Sequence, residues 1–341
     1  MRVLLVKTSS LGDLIHTFPA LTDARRAMAR IRFDWLVEES FAEVPAWHPA
    51  VDEVIPIALR RWRGNWRQAW GRGDLSRFTK RLRQTRYDLI LDAQGLLKSA
   101  LPAFLALGPG AGFDSRSARE PLAAWTYRRR YAVAREQHAI ERLRQLFALA
   151  LGYPLPVCPP DYGLHFSSAH PADVQRLILL HGTTWPSKHW PEPYWAELAR
   201  IATDKGFSVY LPWGDPDDRL RAERIIKVAR VGELLPRQGL SEMARTLAGA
   251  SGVVGVDSGL AHLAAAVGVP AITLYGSTRV DLTGALGPRQ RNLAAEFVCA
   301  PCMRRNCDYR GSGAVQPACF ETLDPARVFD ALRTQMDIQA A

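Results

Sequence analysis

Apolar residues fall in two rhythms that alternate along this chain: short β-branched runs, and longer stretches in which apolar positions recur every three or four residues. The first rhythm predicts buried strands and the second predicts helices with one buried face. In the first half it predicts strands at Val3–Val6, Phe33–Val37, Glu53–Ile57 and Leu89–Asp92, with helices such as Leu14–Ala29 and Arg135–Leu151 between them. The pattern stops at Tyr153-Pro154-Leu155-Pro156-Val157-Cys158-Pro159-Pro160-Asp161, because such closely spaced prolines can continue neither element. It restarts with strands at Leu177–His181, Ser208–Leu211, Gly252–Val256 and Ala271–Tyr275. Strands and helices in alternation wind into a parallel sheet covered on both faces. Two such runs predict an α/β chain of two doubly wound, Rossmann-like domains facing each other across a cleft. We place the first domain at 1–155, a linker at 156–171 and the second domain at 172–341, its last helix a candidate to pack back on the first.

The length of 341 residues suits two domains better than one, and 48% hydrophobic with 23% charged residues is ordinary for a globular chain. No run approaches the roughly 20 apolar residues that a membrane span needs. The apolar start, Val3 to Val6, is too short for a signal-peptide core. We therefore expect a cytoplasmic protein. Charge changes the picture more: 44 basic against 34 acidic residues give a net +10, which points to an anionic partner. Nucleic acid, an acidic membrane surface and a phosphorylated substrate all qualify on charge alone. The run Arg60-Arg61-Trp62-Arg63-Gly64-Asn65-Trp66-Arg67 interleaves cations with aromatics, which could suit nucleic acid. It is equally a solvated basic loop, and no groove-reading motif accompanies it, so no nucleic-acid partner is expected.

Ligands of doubly wound sheets sit at the carboxyl ends of the strands, so the loops there carry the candidate chemistry. After the first strand comes Lys7-Thr8-Ser9-Ser10-Leu11-Gly12-Asp13, whose hydroxyls and amides can receive an anion. It is neither a Walker loop nor a GxGxxG fingerprint. Asp13 reads from its position as a helix N-cap, and His16, one turn on, as a packing or surface histidine. After Leu177–His181, Thr183, Thr184 and Lys188 could clamp a diphosphate, hydroxyls donating and the ammonium neutralising. In Val256-Asp257-Ser258-Gly259-Leu260-Ala261-His262-Leu263 a strand ends in Asp-Ser-Gly and opens a small-residue helix. Its N-terminus, with unsatisfied N–H groups, suits a nucleotide diphosphate. Asp257 and Ser258 could equally be no more than the cap, with His262 structural.

At these loops the chain resembles the lipopolysaccharide heptosyltransferases, and the resemblance runs nearly end to end. It is carried by KTSSLGDLIHTFPALTDA, FDWLVEE, RRWR, DAQGLLKSA, the Ala118-Arg119-Glu120 step, KHWPE, LPWG and VDSGLAHLAAA, in that order. It implies the GT-B fold and an inverting glycosyltransferase. The sugar moved would be L-glycero-D-manno-heptose, from ADP-heptose to the Kdo residue of Kdo-lipid A. No catalytic metal or cofactor is implied, and the enzyme would lie peripherally on the cytoplasmic face of the inner membrane. The RRWR segment and the opening loop favour the members that add the first heptose over those that add heptose to heptose. Carried over by position, Asp13 becomes the general base, taking the proton of the attacking hydroxyl. Ser9, Ser10, Thr183, Thr184, Lys188, Asp257, Ser258, Gly259, Leu260 and His262 become donor ligands whose positive groups stand in for a divalent cation. Asp218, where the family pattern has Glu, would meet the ribose and Gln238 the base. Arg60, Arg61, Arg63, Arg119 and Lys98 would meet the acceptor's carboxylates and phosphates. A nucleotide-sugar epimerase of similar fold is the rival from another class of enzyme.

Four of the five cysteines, Cys299, Cys302, Cys307 and Cys319, cluster near the C-terminus. The Cys299/Cys302 pair has metal-ligand spacing, whereas the second pair is irregular. A structural Zn or Fe ion, disulfides and free thiols compete. A reducing compartment argues against disulfides, and a closed thiolate site that staples a loop is favoured.

Overall fold

The computed structural model describes residues 1–167 and 175–337, so the end of the expected linker (168–171) and the first three residues of the expected second domain lie outside the described residues. The contacts divide the chain after Leu164, within the expected linker, and the second unit begins at His165.

The first unit is built on β1 (Arg2–Val6), β2 (Arg32–Glu38), β3 (Val51–Ile57), β4 (Leu89–Asp92), β5 (Gly110–Phe113) and β6 (Arg129–Tyr131). They form one parallel sheet in the order β3-β2-β1-β4-β5-β6. The second unit repeats this with β7 (Arg176–Leu180), β8 (Ser208–Leu211), β9 (Glu233–Leu234), β10 (Gly252–Val256), β11 (Ala271–Tyr275) and β12 (Gln290–Ala294). Their order is β12-β11-β10-β7-β8-β9. Both sheets reverse their winding once, between β1 and β4 and between β7 and β10, and a crevice opens there at the strands' carboxyl ends.

Helices on both faces explain why the central strands lack alternation: Val3, Leu4, Leu5 and Val6 are all fully buried, as are Val254 and Val256 in β10. Each such side chain contributes about 1.5–3 kcal/mol of burial, so the strands flanking each switch point are the firmest parts of the frame. The second core gathers Leu179, Trp190, Trp195 and Ile272 with Val328, Phe329 and Leu332 of the last helix, Pro325–Asp337. That helix packs on the helix Glu192–Asp204 and on β10 to β12, so its apolar face is spent within the second unit. The expected helix Leu14–Ala29 is two helices, Leu11–Ile15 and Phe18–Ala27. Pro19, in the first turn of the second, has no N–H to continue the first ladder and a fixed φ suited to a new start.

Candidate active site

In the first unit, Lys7 leaves the end of β1 already buried, its Nζ donating to Ala93 O at 3.0 Å across the switch point. Trp35, fully buried in β2, donates from Nε1 to Lys7 O at 2.9 Å, which fixes the loop from the other side. Gln94, just past β4, completes the clamp. Its Oε1 accepts from Thr8 N and Thr8 Oγ1 at 2.7 and 2.9 Å, and its Nε2 donates to Ser9 O at 2.6 Å. Below it, buried Asp92 accepts from Gln94 N, Gly95 N, Ser99 Oγ and Tyr127 OH. The Tyr127 ring lies so close to Gly112 that a Cβ there would stand 2.5 Å from it, so only glycine fits. Neither Gln94 nor Asp92 was expected at the site: both have local signals no stronger than a strand end, and their role appears only when β4 pairs with β1.

Asp13 sits in the first turn of the helix that this loop starts. Its Oδ2 accepts from Ser10 N at 3.0 Å and Ser10 Oγ at 2.9 Å, and Oδ1 lies 3.6 Å from Lys7 Nζ. Burial on its own would raise its pKa. The charge of Lys7 and the Ser10 amide, with smaller contributions from Arg119 and His16, outweigh burial and hold the carboxyl at about 2. The carboxylate is therefore ionised and oriented, with nearly a third of its side chain open to solvent. The N-cap of this helix is Ser10, not Asp13 as its position suggested; Asp13, at the third helical position, bonds back to Ser10 with one oxygen and still presents a proton acceptor with the other. His16 is buried, its ring edge-on to His138 at 5.8 Å.

Cations surround this carboxylate. Lys98 Nζ donates to Ser9 Oγ at 2.8 Å, and burial pulls Lys98 below the usual lysine range. The charge of Arg119 reaches Asp13, Lys7 and Lys98, and that of Arg60 reaches Lys98. Arg60 leads its segment from Glu38, to which its amide donates at 3.1 Å, and its guanidinium covers the Phe41 ring. Arg61 is held by Glu39 at 3.1 and 3.2 Å and by Asp74 at 3.3 Å. Arg63 is exposed. The structure thus brings Lys7, Lys98 and Arg119 to Asp13, with Arg60 one step away beside Lys98, whereas Arg61 is occupied by two carboxylates of its own.

In the second unit the centre is Asp257, at the end of β10. Lys188 Nζ lies 2.7 Å from its Oδ2, Thr278 Oγ1 donates to the same oxygen at 2.7 Å, and His262 Nε2 stands 3.7 Å from Oδ1. Thr183 Oγ1 donates to Asp257 O at 3.2 Å. Burial would raise the pKa of Asp257, yet its bonds to His262 and Lys188 hold it far below the usual carboxylate range. Ser258 caps the helix Gly259–Val267, its Oγ accepting from Ala261 N at 3.4 Å. Gly259 and Leu260, in the first turn, have amides that no intrahelical carbonyl can reach. Lys188 also covers the Trp185 ring at 4.8 Å. Thr184 is exposed in the same loop. Buried His181 ties the end of β7 to β8 by bonding Pro212 O at 3.0 Å, and burial lowers its pKa to about 4, so the ring is neutral.

Asp218 lies against the loop after β7, where a Cβ on Gly182 would stand 2.8 Å from Oδ1. Burial, with Asp215 alongside, raises its pKa. Gln238 is engaged with Thr246, donating from Nε2 at 3.0 Å. Thr278 is the residue that the sequence reading missed here; it follows β11, next to β10, and its only signal was a hydroxyl after a strand end.

Cys299, Cys302, Cys307 and Cys319 are unbridged and line one cavity of about 20 Å³. Burial, with the other three thiols adding to the rise, pushes Cys319 up to about 12, so as a lone thiol it is inert. As the side chains stand, no group of three or more His, Cys, Asp or Glu among the described residues is set to hold a metal ion. The cysteine loop is tied to the donor loop: Ser187 Oγ donates to Arg304 O at 2.5 Å, Ser187 N to Arg305 O at 3.1 Å, and Met303 N to Ser277 O at 2.7 Å. Ser187 and Ser277 immediately precede Lys188 and Thr278.

Two Rossmann-like units, one presenting an oriented carboxylate among cations and the other a lysine and an open helix N-terminus, define a sugar-nucleotide-dependent transferase of the GT-B architecture. The model of glycosyltransferase family 9 (heptosyltransferase) matches residues 75–312, and the chain belongs to that family. The lipopolysaccharide heptosyltransferase 1 of Pseudomonas aeruginosa is 53% identical, over 98% of each chain. The solved structure of E. coli heptosyltransferase WaaC with ADP superposes with a TM-score of 0.87 at 42% identity, covering 98% of this chain and all of that one. WaaC with ADP-2-deoxy-2-fluoro heptose gives 0.83 at the same identity, covering 98% and 99%.

Proposed function

We propose that this enzyme moves L-glycero-D-manno-heptose from ADP-heptose to the Kdo residue of Kdo-lipid A, with inversion at the anomeric carbon. The observation that carries this reading is the ionised, partly open Asp13 set among Lys7, Lys98 and Arg119. A proton acceptor ringed by cations suits an anionic sugar acceptor such as Kdo. On the donor side, Lys188, Thr183, Thr184 and the amides of Ser258, Gly259 and Leu260 would receive the diphosphate, with Asp218 and Gln238 toward the adenosine. The ammonium and the helix N-terminus stabilise the leaving diphosphate without a divalent cation. Likeness to relatives named heptosyltransferase 1 favours the first-heptose acceptor. No helix among the described residues is long and apolar enough to cross a membrane, and the acceptor would be met peripherally at the cytoplasmic face of the inner membrane.

The transfer assay tests this directly. ADP-heptose with Kdo-lipid A should give the heptosylated lipid, released ADP and an unchanged rate in excess EDTA. Loss of rate on chelation, restored by Mg²⁺ and without unfolding, would make the metal-free mechanism wrong. Conversion of ADP-heptose without an acceptor would instead indicate an epimerase.

We also propose that Cys299, Cys302, Cys307 and Cys319 are the residues that would hold one structural Zn or Fe ion. What supports it is the convergence of four soft donors from two segments on one cavity. Such an ion would brace the loop that carries Arg304 and Arg305, and through Ser187 the donor loop. Elemental analysis of freshly purified protein should find about one Zn or Fe per chain, lost at acid pH as the thiolates protonate. No metal, together with four thiols that react freely in the folded protein, would remove the site.

A further inference from the structure

One face of the first unit is apolar where water should be. The helix Leu97–Leu105 and the adjacent 3-10 helix Pro121–Thr126 pack together through buried Ala100, Ala123, Ala124 and Tyr127. Outward they present Leu97, Leu101, Phe104, Leu122 and Trp125, which are 47%, 61%, 68%, 58% and 74% exposed. Positions 97, 101 and 104 fall on one side of a 3.6-residue helix, and the 3-10 helix extends that side with its own two. Single exposed apolar residues are ordinary, whereas five large ones on two touching elements mark a surface that something covers.

The rim says what covers it. Arg128, Arg129 and Arg130 follow the 3-10 helix after buried Tyr127, all exposed, while exposed Arg119 stands two residues before that helix and exposed Lys98 next to Leu97. The acids nearby, Glu120 and Asp114, are turned to backbone amides of Leu97, Arg116 and Ser117, and the five cations outnumber them. An apolar face carrying a Trp and rimmed by cations matches the boundary layer of an anionic bilayer, where apolar side chains enter the acyl region and cations meet headgroup phosphates. The face also adjoins the chemistry, because Lys98, next to Leu97, donates to Ser9 Oγ in the loop that leads to Asp13.

We propose that this face docks the first unit on an anionic lipid surface, so that a lipid-anchored acceptor presents its sugar to Asp13 while its acyl chains stay in the bilayer. The inference rests on the lipid acceptor of the proposed function. The full chain should co-float with vesicles of phosphatidylcholine and phosphatidylglycerol, and much less with phosphatidylcholine alone. The triple substitution L101S/F104S/W125S should lower binding to the anionic vesicles by roughly tenfold or more. All three side chains are exposed, so the fold and ADP affinity should hold. Arg128→Glu with Arg129→Glu is a second variant, expected to lose binding mostly at low salt. Transfer to vesicle-embedded acceptor should fall with binding, while transfer to a deacylated, water-soluble acceptor should not. Wild-type protein that does not float, or variants that float like it, would overturn the docking face. So would a wild-type dimer that the triple substitution converts to monomer, since a second copy would then cover the face. Transfer to neither acceptor, with vesicle binding intact, would sink the acceptor assignment and leave the docking face standing.

Discussion

Asp13→Asn should fold, bind ADP-heptose with unchanged affinity and transfer heptose at least about a hundredfold more slowly. Asp13 is the third residue of a helix whose N-cap is Ser10, and the side-chain oxygen of an asparagine there can still accept from Ser10 N and Ser10 Oγ, so the local frame survives. What disappears is the charge facing Lys7 and the site for the acceptor's proton. Loss of a general base commonly costs roughly 10²–10⁴-fold in rate, or about 3–5 kcal/mol of barrier. Weakening of the partly exposed pair with Lys7 should cost stability only on the order of 1 kcal/mol. The pH dependence has a definite sign. A carboxyl whose folded pKa, about 2, lies below its unfolded value contributes stability that is complete above the unfolded value. That contribution is lost only as pH falls toward 2. The wild-type rate should therefore show no acid limb from Asp13 near pH 4, and the Asn variant should lose part of the wild type's extra stability above that range. Single-turnover rates, melting curves and calorimetry on one preparation check all of this. A variant of near-normal rate would leave Asp13 only a partner of the Ser10 cap.

Local pattern carried the frame where burial was strongest and failed where elements were short or polar. The eight expected strands are the ones richest in large apolar residues. Those missed are β5, with two glycines in four residues; β6, which is Arg-Arg-Tyr; β9, two residues long; and β12, which reads Gln-Arg-Asn-Leu-Ala. β6, β9 and β12 sit at or next to open sheet edges, where one neighbouring strand suffices and apolar content is not required. The site was legible as loops because strand ends and helix starts have sequence signals, and the resemblance gave those loops their roles. Their tertiary holders had no signal beyond a place in a strand or at its end. Gln94, Trp35 and Thr278 reach Ser9, Lys7 and Asp257 across sheet neighbours, and pairing is what periodicity cannot specify. Arg61 shows the converse. It stands in a motif of the family, yet Glu39 and Asp74 already occupy its guanidinium.

Lys188 carries the second large effect. Its ammonium rests on Asp257 at 2.7 Å, which offers a bland role: neutralising a buried carboxylate. An ammonium has three donors, however, and Asp257 also has Thr278 and His262 beside it, so Lys188 can turn part of its hydrogen bonding to a diphosphate without orphaning its partner. Lys188→Met should weaken ADP-heptose binding roughly tenfold and slow transfer a further 10²–10³-fold, the usual consequence of removing one donor from developing charge. Stability should fall as well, because Asp257 loses its nearest cation in a buried setting. The double variant Lys188→Met/Asp257→Asn separates the roles. If Lys188 serves only to neutralise Asp257, removing both charges should restore donor affinity and rate along with stability. If it serves the leaving diphosphate, the double variant should regain stability and stay slow, because the positive charge that ADP departs toward is still missing. Thermal unfolding, ADP titration and single-turnover transfer on the two single variants and the double complete the cycle. Recovery of turnover in the double variant would assign Lys188 to the frame and leave the helix N-terminus at Ser258 as the chief support of the leaving group.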